Sequence, residues 1–143
     1  MGNNKVLLAG IAGTVSFFIL GWVVYGMMLM DFMAANVGTA TGVNKSEEEM
    51  SFLWIVIGNL ASGYLLAIIF GSYGNITTAM AGAKAGAVIG LLMSIGYDAI
   101  MYGTTNIMNM NAMWADIAVS TIMCAITGAV VAAVLGMKSK ASA

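Results

Sequence analysis

Four long apolar runs constrain this chain more than any motif in it. They cover about 6–30, 52–70, 81–102 and 112–137. A helix rises 1.5 Å per residue, so crossing the ~30 Å hydrocarbon layer of a bilayer takes about 20 residues. Each run is about that long, and the longer ones are accommodated by tilt. Only 8% of residues are charged and 61% are hydrophobic, whereas a soluble domain carries about 25% charged residues. A segment in lipid must satisfy its own backbone polar groups, which leaves helices and closed barrels. Runs of this length, without a single proline, read as helices.

The sequence therefore predicts an all-α fold: a four-transmembrane-helix bundle forming one domain over 1–143, with helices at about 5–31, 47–71, 78–102 and 112–137. The first run is far longer than the 7–15 or so residues of a signal-peptide core, and no clean A-x-A site follows it. It reads as a retained helix.

The connections carry start and stop signals. Ser46 with Glu49 three residues on has the form of a capping box, which would start the second helix before its apolar part. Thr77 or Thr78 can cap the third helix and Asn111 the fourth, while Gly103 ends the third. The loop from Asp31 to Lys45 is small and weakly polar, suited to the membrane interface. Lys5, Lys84, Lys138 and Lys140 fall at one end of a four-span bundle, and Lys45 stands alone at the other beside three glutamates. The positive-inside rule then puts both termini in the cytoplasm, in a multi-pass protein of the cell inner (cytoplasmic) membrane. Trp54 and Trp114 fall at the outer interface, and Lys84 reads as a snorkelling anchor.

Small residues recur at every fourth position. The third helix has Gly82, Gly86, Gly90, Ser94 and Asp98, and the fourth has Ala112, Asp116, Ser120, Cys124, Gly128, Ala132 and Gly136. The second has Asn59, Gly63, Ala67 and Gly71, and the first Gly13, Phe17, Gly21 and Tyr25. Such seams let helix backbones approach closely. A four-residue step departs from the helical repeat by about 40°, so each seam winds round its helix. Steep crossings and faces available to other copies are expected.

Each seam also brings a polar residue to the outer third: Tyr25, Asn59, Asp98 and Asp116. The expectation is one outward-facing polar crevice, walled by Trp22 and Tyr97. Asn59 and Tyr25 are explained most simply as interhelical hydrogen-bonding groups. Asp98 is a candidate ligand or ion site, because an intramembrane acid is expensive to insert. Asp116 fits that role too, and equally fits the positive end of a helix dipole.

Other functions are excluded or disfavoured. No histidine is present, so Ser-His-Asp and Cys-His catalysis and the usual zinc sites are absent. There is no Walker loop. Net charge is −1 with no basic stripe, which argues against nucleic acid. Cys124 stands alone and cannot form an internal disulfide. No cofactor is implied, and the chain does not read as an enzyme.

The function expected is a non-enzymatic, self-associating bundle or a subunit of a larger membrane complex, in contact with lipid and other membrane subunits. An alternative is an oligomeric cation- or proton-coupled transporter or channel using Asp98. A second is outer-face binding of Cu(I) or Ag(I) by Met108, Met110 and Met113, since thioethers are soft ligands. Methionine also fills irregular apolar gaps.

The stretches "LGWVVYGMMLMDFM" and "STIMCAITGAVV", with the spacing of the later helices, are similar to a family of small four-helix bacterial membrane proteins of unassigned activity. The resemblance implies a four-span fold and assigns no role to any residue.

Overall fold

The computed structural model describes residues 3–46 and 48–137. Among these the structure is helical: α1 (Asn3–Val23), α2 (Met30–Ala35), α3 (Phe52–Ile68), α4 (Ala79–Thr104) and α5 (Met110–Gly136). α1 runs on through a π-helical turn, Val24–Met28, and α3 through another, Ile69–Gly74. Four helical stretches are long and apolar enough to cross a membrane: Asn3–Met28, Phe52–Gly74, Ala79–Thr104 and Met110–Gly136. Leu92 and Ile100 on α4 are 64% and 66% exposed. Apolar surface of this kind, present on all four spans, needs lipid or another protein to cover it.

Lys5 Nζ donates to the Met137 carbonyl (2.6 Å), so the start of α1 meets the last described residue at one end of the bundle, the terminal end. The α3–α4 turn is also there. Asn75 stops the preceding π turn in the left-handed conformation (φ 46°, ψ 40°), which asparagine tolerates better than most residues. Lys138 and Lys140, which contribute to the expected orientation, lie outside the described residues.

At the opposite, loop end, two connections are stitched together. Val37 pairs antiparallel with Met108. The Ala40 amide donates to the Asn106 carbonyl (3.0 Å), and the Asn109 amide to the Asn36 carbonyl (3.1 Å). Asn36 Oδ1 accepts from Asn109 Nδ2 (3.0 Å) and Asn111 Nδ2 (3.3 Å). The long first loop thus satisfies part of its backbone on the turn between α4 and α5, which fixes that end of the bundle.

Several helix boundaries differ from expectation. The start expected at 47 lies outside the described residues, and α3 begins only at Phe52. The Ser46 amide and hydroxyl do meet Glu49 Oε2 (3.2 Å each), but the box closes an isolated turn. The chain then extends at Ser51 before α3 begins. Asn109, two residues before the expected Asn111, caps α5 by accepting from the Ala112 amide (3.0 Å), while Asn111 reaches Asn36 instead. Thr78 caps α4. Gly103 does not end α4, which continues to Thr104. The first span stops short of Asp31: the Leu29 amide bonds the Val24 carbonyl five residues back (2.8 Å), and Asp31 lies in the first turn of α2.

The small-residue seams are contact lines. Gly82, Gly86, Gly90, Ser94 and Asp98 are the buried residues of α4. They run antiparallel to α5: a β-carbon on Gly82 would overlap the Gly128 carbonyl, and one on Gly86 the Cys124 carbonyl. On α3, Gly63 lies against Gly10, Gly13 and Thr14 of α1 so closely that no side chain fits. The order of packing is α3 on α1, α1 on α5, and α5 on α4. α3 and α4 scarcely meet. The core lies where α1, α3 and α5 converge, around Ala9, Leu66, Phe70, Val131 and Leu135. The helices therefore form an incompletely closed bundle, open on the side between α3 and α4.

Candidate functional site

In place of the expected single outward crevice there are two cavities with no lining residue in common. The first fills the gap between α3 and α4 over the surface of α5 and has a volume of about 250 Å³. Asp98, Tyr97 and Ser94 from α4, Asp116 and Ser120 from α5, and Ser62 from α3 line it, with Phe17 and Leu66 supplying apolar surface. The second is a groove of about 1070 Å³ between α1 and α3 near the loop end, lined by Trp22, Tyr25 and Asn59 among others. Trp22 and Asn59 are thus separated from the acids. Tyr25 connects the two spaces.

Tyr25 faces the groove and passes its hydroxyl to α5, donating to Asp116 Oδ1 at 2.6 Å. Its position is set by the π turn Val24–Met28, whose wider winding resets the phase of the first span at this residue. Ser120, one turn along α5, approaches Asp116 Oδ2 and the Tyr25 hydroxyl, each at 3.4 Å. Asp116 is half-buried and held from two sides.

Asp98 is in a different state. It is 1% exposed, among the most buried side chains in the protein. The Asp116 side chain is its polar neighbour, within hydrogen-bonding reach. No donor among the described residues reaches Asp98 Oδ2. Ser94, one turn away, spends its hydroxyl on the Gly90 carbonyl (2.7 Å). An unpartnered buried oxygen costs about 1–3 kcal/mol, and more when the group is charged. The α4–α5 seam creates this situation: glycines draw the backbones together below, and the same register carries Asp98 against the first turns of α5.

Two carboxyl groups facing each other without a donor between them need a bridging proton or cation. The pocket around them offers oxygen ligands, the hard type that suits protons and alkali or alkaline-earth cations. Among the described residues no three His, Cys, Asp or Glu side chains converge as a metal cluster.

The remaining candidates are dispersed. Asn59 donates to the Ile55 carbonyl within its own helix (2.8 Å) and reaches no other span. Tyr97 and Trp22 are 64% and 65% exposed, on the walls of different cavities. Met113 is buried in the core, Met110 is exposed at the start of α5, and Met108 is half-buried at the bridge to Val37. Two polar contacts had no sequence signal beyond residue type: the Ser16–Thr127 hydroxyl pair (3.0 Å) joining α1 to α5, and Lys45 on the wall of the groove. Ser120 was legible as a seam residue, but not as a partner for Tyr25.

No family model, curated protein or solved structure matches this chain.

Proposed function

We propose that the chain is a non-enzymatic integral membrane protein that binds a proton or a small monovalent cation between Asp98 and Asp116, and that it works as a self-associated assembly. The carrying observation is the buried Asp98 Oδ2, which has no donor among the described residues and faces a second carboxyl. Intramembrane acids that are not neutralised by a basic partner mark ion and proton pathways. Lysine placement supports both termini being cytoplasmic, with the crevice towards the outer face of the inner membrane.

Self-association is favoured by the open side between α3 and α4, since four spans alone enclose little of a pathway. A neighbouring copy or another membrane subunit covering that side would complete it. Flux in liposomes tests the proposal. Under an imposed sodium or proton gradient the wild type should dissipate the gradient, and Asp98→Asn, shown to be folded by its melting curve, should not. Equal flux in the two removes Asp98 from any pathway.

A further inference from the structure

The groove between α1 and α3 is not used by the carboxyl pair, and its shape and charge point to a particular occupant. It runs along the first span from Phe18 to Gly26, eight residues or about 12 Å of helix, and past it to Met30 in α2, close to half the ~30 Å thickness of the hydrocarbon layer. Its depth is therefore that of one leaflet. Phe18 and Phe52 meet edge to face on its wall (centroids 5.5 Å apart, 78° between planes), and Trp22 and Ile55 continue the apolar lining. Its volume of about 1070 Å³ is at the top of the ~300–1,000 Å³ typical of small-molecule pockets, room for an acyl chain rather than a compact solute.

The mouth is polar, and Lys45 is the charged residue in the groove's lining. Asn44 and Lys45 lie there, and Lys45 is the one cation at the loop end among the described residues. Glu49 turns its carboxylate back onto Ser46 and does not line the groove. We propose that this groove binds one anionic phospholipid of the surrounding bilayer, with an acyl chain along α1 and α3 and its phosphate at Lys45. Charge complementarity at the mouth, joined to a leaflet-deep apolar cleft, separates this from general solvation by lipid. Because Tyr25 lines the groove and bonds Asp116, the occupant touches the residue that holds the carboxyl site. The lipid site itself does not depend on ion binding there.

The test uses the full chain with Trp54→Phe and Trp114→Phe, so that Trp22 alone reports. It is reconstituted in phosphatidylcholine vesicles containing equal fractions of brominated phosphatidylglycerol or brominated phosphatidylcholine. A lysine near an anionic headgroup is worth about fivefold in affinity, so brominated phosphatidylglycerol should occupy the quenching site about fivefold more strongly. Lys45→Gln should remove that preference and Lys45→Arg should retain it. Added inorganic phosphate should leave it in place. Equal quenching by the two lipids, or a preference that survives Lys45→Gln, would overturn the proposal. So would quenching by neither lipid, the outcome if another copy fills the groove, or displacement by free phosphate.

Discussion

At the scale of single residues, the contrast between Asp98 and Asp116 is the informative one. Asp116 has a short hydrogen bond from Tyr25 and a longer one from Ser120, whereas Asp98 Oδ2 has no donor among the described residues. Asn at 98 brings its own N–H to the Asp116 carboxyl and needs no bridging ion. With both carboxyls ionised and no cation bound, in choline buffer, Asp98→Asn is therefore expected to raise stability by about 1 kcal/mol, the penalty of a buried unsatisfied group recovered. Thermal unfolding in detergent checks it, and a loss of stability would mean that Asp98 is satisfied in a way this account omits. Tyr25→Phe acts in the opposite direction. It removes a short bond to a carboxyl oxygen and should lower stability by about 1 kcal/mol, measured the same way.

That Asp98 would turn away from lipid could be read from the sequence, because an acid inside an apolar span is costly to leave facing hydrocarbon. Its neighbour could not, since which oxygen goes unpartnered depends on the crossing of α4 and α5 and on the hydroxyl that Ser94 gives to its own helix.

Among the elements, the seams were the legible part. Four-residue repeats of glycine and serine on α4 became its buried face, because only small residues allow backbones into contact. Gly86→Leu should separate α4 from α5, since a β-carbon there already overlaps the Cys124 carbonyl. Overpacking of a close-packed interface costs about 1–3 kcal/mol. A lowered melting temperature is the expected result, with less protection from proteolysis in the loops between these helices.

Helix ends were less legible, and the reason is physical. Ser46 and Glu49 make the predicted contact, but the chain then extends at Ser51, so the box does not set where α3 begins. At α5 two asparagines compete, and the one whose oxygen faces the Ala112 amide is Asn109. Asn109→Ala should cost about 1 kcal/mol of stability, and Asn111→Ala clearly less; equal losses on chemical denaturation would contradict this assignment of the cap. The π turns carry no sequence signature, because one extra residue per turn changes no side-chain type.

For the whole molecule, hydropathy revealed four spans and their number placed the first and last on the same side. It did not reveal the packing order. Every span has a small-residue seam, so the pattern alone cannot say which pairs with which. The structure places α1 and α5 at the centre and leaves α3 and α4 apart, and that gap is what exposes the carboxyl pair to a cavity. A bundle open on this side is expected to associate: native mass measurement in lipid discs should find more than one copy, or a copy with a partner, per particle.

The central claim is that the facing carboxyls of Asp98 and Asp116 hold a proton or a monovalent cation. Infrared difference spectroscopy of the protein in bilayers, on exchanging choline for sodium and on changing pH, observes those carboxyl groups directly. A protonated-carboxyl or carboxylate band should shift with the exchange and be missing from the folded Asp98→Asn variant. A spectrum in Asp98→Asn identical to the wild type would contradict it.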